Sequence, residues 1–264
     1  MKRKIVLLMA ISLLAASKVP AVTPITLAKG SNVGLYVSYD GLKTSENYVD
    51  NACLSFDGSG WKTDTKLKWK DQTSYAEFYV YYPYIENVKD ARALSFSVKE
   101  DQSTAEAVAA SDFLYGRAGA YPDDGMSKPS LRHLFSNIVV NVKAGDGFTD
   151  DELKQGNLSV RIKDVCTQAM INLGNGEVRS EGSTKNIKTY EAESLSFSAV
   201  IVPQRVGKLS VIWNNIEYVI SFDKDCIGGK VYTLTATLKK TSGGINVSIG
   251  GWEDSGEDFG GTVN

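Results

Sequence analysis

The Asp-Gly pairs that recur along the chain constrain its fold more than any other feature. They occur at Asp40-Gly41, Asp57-Gly58, Asp124-Gly125 and Asp146-Gly147, and the segments between them are rich in Val, Ile, Tyr, Phe and Thr. Asp-Gly supplies the positive backbone φ that a tight reversal between two strands requires. Helical periodicity is almost absent, so the pattern predicts an all-β chain of antiparallel strands.

Segments with the alternation of strands recur at intervals of roughly 8–12 residues, which is typical of antiparallel sandwiches. They are residues 25–27, 33–39, 52–56, 66–69, 76–82, 93–98, 113–115, 131–144, 158–163, 168–173, 195–202, 209–213, 217–222, 231–238 and 245–249. So many strands exceed one small sandwich, and we expect two in series. The stretch AYPDDGMSKP combines Pro, Gly and charge, which predicts a boundary between an N-terminal domain at 22–125 and a C-terminal domain at 126–264.

Two capping patterns predict short helical turns inside this β framework. Ser103 precedes Glu106 by three residues ahead of AVAAS, and Thr149 precedes Glu152 in the same way. In a capping box each of the two side chains accepts a hydrogen bond from the backbone N–H of the other residue.

The N-terminus has the organisation of a secretory signal peptide. Residues 1–4 are positively charged, and residues 5–16 form an apolar stretch too short to cross a bilayer. The sequence LAASK resembles a bacterial lipobox in which Ser17 stands where the acylated cysteine is expected. Because a hydroxyl does not carry that lipid, we expect plain cleavage, with residues 1–21 as the signal peptide and an exported mature protein.

Charge, cysteine and histidine content exclude several classes of function. The net charge is −2, so no basic face is concentrated enough to bind nucleic acid. Cys53, Cys166 and Cys226 match no disulfide framework, which predicts free thiols that behave as small hydrophobic residues. His133 is the one histidine, and it cannot build a zinc site or activate a recognisable nucleophile. We therefore predict that the protein is not an enzyme and has no cofactor and no metal.

The aromatic stretch YAEFYVYYPYIE, residues 75–86, suits either a ligand platform or the inside of a sheet. A strand alternates its faces, so the stretch divides into two rows: Ala76, Phe78, Val80 and Tyr82 on one face, and Tyr75, Glu77, Tyr79 and Tyr81 on the other. The first row predicts a buried face. The second predicts a half-exposed face whose tyrosine hydroxyls reach water.

Several blocks of sequence, taken together and in order, resemble the fimbrillin-like proteins of Bacteroidales. They are VGLYVSYDG, WKTDTKLKWKDQTSYAEFYVYYPY, SDFLYGRA, HLFSNIVVNVKAGDGFTDDEL, AVIVPQ, GKVYTLTATLKK and INVSIGGWED. The resemblance covers nearly the whole chain after the signal peptide. It implies two tandem transthyretin-like antiparallel β-sandwich domains and assembly into surface pili.

The resemblance further implies strand exchange between subunits, in which a protease removes a first strand and a neighbour's C-terminal segment fills the groove. Here the removable strand lies within residues 22–27, with Val22, Ile25 and Leu27 as its apolar side chains, and Lys29 or Lys43 as the processing position. The donor is residues 245–249 with Trp252, where Ile245, Val247 and Ile249 alternate. The same pattern also fits a strand that belongs permanently to its own chain, and the two interpretations stay open.

The prediction for function is a structural subunit of a cell-surface pilus that polymerises with other pilin subunits and contributes to adhesion to a host or bacterial surface receptor. We expect the protein to be exported and to lie in the fimbrium at the surface of the outer membrane. The alternative is a monomeric adhesin or glycan-binding lipoprotein of the same fold that uses Tyr79, Tyr81 or Trp61. A glycosidase is the least favoured hypothesis, because no pair of carboxylates in the sequence stands out.

Overall fold

The computed structural model describes residues 27–124, 129–242, 244–249, 253–254 and 260–261. Within them lie eighteen strands and two short helices, α1 (Ala105–Ala109) and α2 (Asp150–Gln155). In chain order the strands are β1 (Asn32–Ser38), β2 (Val49–Phe56), β3 (Trp61–Lys62), β4 (Ala76–Tyr82), β5 (Leu94–Ser97), β6 (Leu114–Ala120), β7 (Leu131–His133), β8 (Ser136–Ala144), β9 (Ser159–Asn172), β10 (Glu177–Lys188), β11 (Tyr190–Glu193), β12 (Ser196–Ile201), β13 (Gln204–Trp213), β14 (Ile216–Cys226), β15 (Val231–Thr241), β16 (Gly244–Ile249), β17 (Glu253–Asp254) and β18 (Gly260–Gly261).

The strands form three sheets. Sheet I has the order β18-β7-β6-β4-β1-β2-β3, and sheet II has the order β10-β9-β13-β14, with β5 also paired to β9. Sheet III has the order β11-β12-β8-β15-β16, with β17 also paired to β15. The predicted all-β sandwich class is confirmed, and the strand pairs are antiparallel except for β8 and β15, which run parallel. Turn chemistry did not predict that exception, because a parallel pair needs a crossover connection and not a hairpin.

Two clusters of buried side chains hold the sheets together. The larger one joins sheets II and III: it contains Ile162 and Leu209 of sheet II, Ile138 and Leu234 of sheet III, and tyrosines of sheet I. The smaller one lies on the opposite face of sheet I, and its members include Phe78 of β4 and Trp69 of the connection between β3 and β4. Sheet I is therefore buried on both faces.

This double burial corrects the prediction for the aromatic strand. β4 spans the predicted residues, and Phe78 and Val80 face the smaller cluster as expected. Tyr79 and Tyr81, predicted to lie half in water, are only 2% and 0% exposed because their face packs into the larger cluster. A single strand shows which residues share a face, but the number of layers around it depends on the rest of the chain.

The strand predictions differ from the structure mainly where side chains are polar. β10 was not predicted, because EVRSEGSTKNIK has no apolar alternation, yet it pairs with β9 along most of its length. The reverse error is residues 66–69, which form no regular strand; Leu67 and Trp69 alternate inward over the smaller cluster. An extended connection that lies on a core also buries every second side chain, so its sequence has the same period as that of a strand.

Both short helices occur at the predicted capping patterns. At α2 the box is complete: the Thr149 side chain accepts from the Glu152 N–H, and Glu152 accepts from the Thr149 N–H. At α1 the N-cap is Thr104 rather than Ser103, and its side chain accepts a hydrogen bond from the Ala107 N–H. The helix was predicted correctly and its cap was one residue off.

The predicted domain boundary after Gly125 falls among residues 125–128, outside the described residues, and stays a prediction. Strand pairing crosses it in both directions. β5 precedes the boundary and pairs with β9 of sheet II, whereas β7 follows it and pairs with β6 of sheet I.

Candidate functional site

The C-terminal strand β16, which contains the predicted donor segment, lies at the edge of sheet III. It pairs with β15, from Gly244 opposite Thr241 to Ile249 opposite Ala236. Ile245 and Val247 are half-buried and pack against the larger cluster, whereas Asn246 and Ser248 are exposed. The segment thus has the predicted alternation and is docked in its own chain along one edge.

Two described pieces of the chain after β16, β17 and β18, each pair with a strand of a sheet. β17 pairs with Tyr232 and Thr233 of β15, and β18 pairs with Leu131 and Arg132 of β7 at the edge of sheet I. The backbone of the C-terminal segment therefore touches both sheet III and sheet I. Trp252, predicted as part of the donor, lies outside the described residues.

Leu27 is the part of the predicted removable strand that the structure describes, since Val22 and Ile25 lie outside the described residues. Leu27 is 3% exposed and belongs to the smaller cluster, although it is not in a strand. A turn follows it: the Ser31 N–H donates to the Ala28 carbonyl at 2.9 Å, and Gly30 has a φ of +92°. A buried anchor thus directly precedes an exposed turn.

The two predicted processing positions differ in what lies between them and the N-terminus. Lys29 is exposed in that turn, ahead of β1. Lys43 is exposed in the connection between β1 and β2, where its N–H donates to Asn47 Oδ1 at 2.9 Å. Because β1 pairs with both β2 and β4, cleavage at Lys43 would detach a central strand of sheet I, whereas cleavage at Lys29 would leave that strand in place.

A comparison with models of protein families matches residues 21–252 to the family described as fimbrillin-like. The chain belongs to the fimbrillin-like family. The resemblance predicted from the sequence blocks is therefore confirmed. No curated protein matches the sequence of this fimbrillin-like chain at a significant level.

Solved structures from Bacteroides have the same fold as this fimbrillin-like chain. A protein described as a cell adhesion protein from Bacteroides ovatus is 16% identical, with a TM-score of 0.73 and coverage of 96% of this chain and 98% of that chain. Another, from Bacteroides uniformis, is 19% identical, with a TM-score of 0.68 and coverage of 86% and 91%. A fimbrial protein from Bacteroides ovatus is 19% identical, with a TM-score of 0.55 and coverage of 83% and 45%.

The aromatic residues predicted for glycan binding are buried or half-buried in the fimbrillin-like chain. Tyr79 and Tyr81 are buried, as described above, and Trp61 is half-buried and packs on Phe56 with ring centroids 5.2 Å apart. The Tyr79 hydroxyl donates to Glu77 Oε2 at 2.8 Å, and Glu77 forms an ion pair with Arg117. Burial, followed by the contact with Glu77, raises the pKa of Tyr79 to about 12.

Other tyrosines, which the sequence did not single out for glycan binding, are exposed. Tyr75 and Tyr121 are 46% and 50% exposed, and their ring centroids lie 5.0 Å apart. Tyr48 is also exposed, and its ring packs edge-on against Tyr39. Tyr75 was predicted on the correct face of β4, but it lies one residue before the strand begins, beyond the cover of the larger cluster.

The histidine and the three cysteines singled out in the sequence lie in the described part of the chain. His133 Nδ1 lies 2.6 Å from Asp112 Oδ2, so the one histidine is hydrogen-bonded within the fold. Cys53, Cys166 and Cys226 are free thiols, as predicted. Among the described residues no group of three or more potential metal ligands occurs, and no helix is long and apolar enough to span a membrane.

Proposed function

We propose that this fimbrillin-like chain is a structural subunit of a cell-surface pilus, located outside the cell, that joins other pilin subunits by strand exchange and contributes to adhesion. Family membership supports a role in fimbriae, as do the descriptions that similar structures carry. The role is that of a non-catalytic building block. The observation that carries the exchange mechanism is the C-terminal strand β16, which is held along one edge.

The energetics of β16 fit a strand that can leave its own sheet. Its described apolar contacts come from Ile245 and Val247, which are each half-buried. Full burial of such side chains contributes about 1.5–3 kcal/mol each, so half-burial contributes less. An edge segment held by few apolar contacts opens locally far more easily than the core strands do. Release would expose the edge of β15, which a strand of the same pattern could cover again.

Leu27 defines the acceptor in this proposal. Cleavage after Lys29 would remove Leu27 from the smaller cluster and leave an apolar slot in that cluster. A donor strand from a neighbour fills such a slot with one row of alternating side chains, and Ile245, Val247 and Ile249 form such a row. We therefore favour Lys29 over Lys43 as the processing position.

The test uses protein purified with its N-terminus at Gly30 and compared with protein that retains residues 22–29. We expect the shortened protein to form ladders that survive mild SDS and the longer protein to remain monomeric. Val247→Lys should abolish the ladders because it places a charge in the slot, whereas Ser248→Lys, on the exposed face of the same strand, should leave them intact. The mechanism is wrong if the shortened protein stays monomeric or if deletion of residues 245–264 changes nothing.

Glycan binding by the same fold remains the second candidate function, now through the exposed pair Tyr75 and Tyr121. Two exposed rings 5.0 Å apart offer apolar faces with hydroxyl tips, the combination that favours binding surfaces. A glycan array would give selective binding that Tyr75→Ala and Tyr121→Ala abolish and Tyr48→Ala preserves. Equal binding by all three variants would exclude this pair as the site.

A further inference from the structure

Four basic side chains lie close together on the outward face of sheet II. Alternation along the strands places them, since Ile162, Ile187 and Leu209 are buried in the larger cluster and their neighbours point away from it. The four are Arg161 and Lys163 of β9, Lys188 of β10 and Lys208 of β13, hereafter the basic face.

The strand register sets like charges directly opposite one another in the basic face. Lys163 pairs with Lys208 across β9 and β13, and Arg161 pairs with Lys188 across β9 and β10. Paired residues lie roughly 5 Å apart, and alternate residues along a strand lie roughly 7 Å apart. Like charges in directly opposite positions destabilise a sheet. An anionic partner with several charges would offset that cost.

Nearby carboxylates neutralise only part of the basic face. Lys163 Nζ lies 2.9 Å from Glu217 Oε1, and Lys188 Nζ lies 3.9 Å from Asp101 Oδ2. Further along the face, Arg205 forms ion pairs with two carboxylates. Its Nη2 lies 2.8 Å from Asp223 Oδ1, and its Nη1 lies 3.5 Å from Asp225 Oδ2. Among the described residues no ion pair involves Arg161 or Lys208, although Glu217 also interacts electrostatically with Arg161 and Asp164 is exposed beside Lys163. The centre of the face therefore keeps an excess of positive charge.

The complementary feature of the chain is the segment Glu253-Asp254-Ser255-Gly256-Glu257-Asp258, which holds four carboxylates in six residues. Within one molecule its first two residues, Glu253 and Asp254, are β17 and pair with sheet III, and β18, which follows the segment, pairs with sheet I. The basic face lies on the side of sheet II that points away from the larger cluster, whereas sheets I and III both contribute side chains to that cluster. The segment also begins four residues after Ile249, so it would travel with a donor strand to a neighbouring subunit.

We propose that the basic face of sheet II binds the acidic C-terminal segment of a second copy of this chain. The inference rests on the proposed function as a pilus subunit. The contact joins two different surfaces, and such a head-to-tail contact adds copies without limit when the rotation between them does not close a ring. Opposite charges on the two surfaces steer the encounter and fix its orientation before any strand is exchanged.

The test measures self-association of the exported protein by sedimentation velocity, before any N-terminal shortening, so that it does not depend on strand exchange. We expect association at low ionic strength that weakens roughly tenfold between 0.05 and 0.5 M NaCl, because salt screens exposed charges. Arg161→Glu/Lys208→Glu should weaken it by a similar factor, and so should Glu257→Lys/Asp258→Lys. Combining all four substitutions in one chain should restore association to within roughly threefold of the original.

Lys66→Glu/Lys68→Glu is the matched control, because it makes the same change of charge at exposed residues between β3 and β4. It should leave association unchanged. The melting temperature of each variant checks folding, and the tail variant tests the contact even if substitutions in the basic face destabilise the sheet.

Three results would overturn the proposal. They are no salt-dependent association, a control variant as weak as the face variant, and retention of the protein on a sulfated polysaccharide through the basic face without any self-association. SDS-resistant ladders that still form from shortened protein in any of these cases would leave the proposed pilus function intact. Absence of ladders with intact salt-dependent association would remove the exchange mechanism and keep this contact.

Discussion

The Tyr81 ring lies directly over Gly34, its cross-strand partner in the pairing of β1 with β4. A β-carbon at Gly34 would come closer than 3.0 Å to the Cε1, Cζ and Oη atoms of Tyr81. Tyr81 is fully buried and stacks on Phe113 with ring centroids 5.7 Å apart, so it has no room to move aside. Glycine at this position is therefore a packing requirement of sheet I.

Gly34→Ala is expected to destabilise the protein by about 3 kcal/mol, because overpacking a filled core forces side chains and backbone to shift. Gly60→Ala is the control, since no atom lies within 4 Å of the corresponding position there. Urea unfolding of both variants measures the difference. Equal stability of the two variants would mean that Tyr81 has an alternative position.

Two buried tyrosine hydroxyls of sheet I should respond oppositely to removal. The Tyr81 hydroxyl donates to Asn51 Oδ1 at 2.7 Å, and within the described part of the chain the Tyr115 hydroxyl is buried without a hydrogen-bond partner. Tyr81→Phe should cost about 1–3 kcal/mol because it leaves Asn51 unsatisfied. Tyr115→Phe should be neutral or stabilising, because it removes a buried polar group that gains nothing from the fold. Denaturant titrations that rank the two variants in the reverse order would contradict this assignment.

Stability should fall steeply in alkali. Burial is the main cause that raises the pKa of Tyr79 and of Tyr115 from 10.0 to about 12. The folded state therefore holds protons that the unfolded state releases, so the stabilisation is complete below pH 10 and is lost as the pH rises through 12. Circular dichroism should lose its native signal over that range, together with the rise in tyrosinate absorbance that comes from the buried tyrosines.

Tyr115→Phe provides the control for the alkaline transition. It removes one of the raised phenols, so its free energy of unfolding should fall less steeply above pH 10 than that of the unsubstituted protein. Tyrosinate that forms fully while the circular dichroism stays native would show that these hydroxyls reach water in the folded state.

The sequence predicted the positions of strands well where one residue in two is apolar. It predicted the burial of side chains poorly where that burial depends on distant layers of the structure. Residues 76–82 carry strong alternation and form β4. The burial of Tyr79 and Tyr81 depends on a third layer of structure, to which residues more than fifty positions away contribute. Alternation within one strand does not predict that layer. β10 is the opposite case, since its strand conformation comes from pairing with β9 and not from its own side chains.

The candidate site was predicted in part for a related reason. Alternation of Ile245 and Val247 correctly indicates a strand with one apolar face. The same alternation suits a strand in its own sheet and a strand in a neighbour's, because both present one row of side chains to a core. The basic face was not visible in the sequence, because Arg161, Lys188 and Lys208 lie on three strands that only the register brings together.

The three thiols should differ in reactivity according to burial. Cys226 is buried, and that burial raises the pKa of its thiol to about 12, whereas Cys53 and Cys166 are half-buried. Thiolate is the reactive form, so Cys226 should resist alkylation at pH 8 until the protein unfolds, and the other two should react first. Mass spectrometry of peptides from timed iodoacetamide labelling, with a urea-unfolded sample as the reference in which all three react alike, measures the order. The packing of Cys226 in the larger cluster predicts that the end of β14 stays closed in native buffer. Labelling of Cys226 as fast as Cys53 would contradict this, because it would show that sheet II opens there.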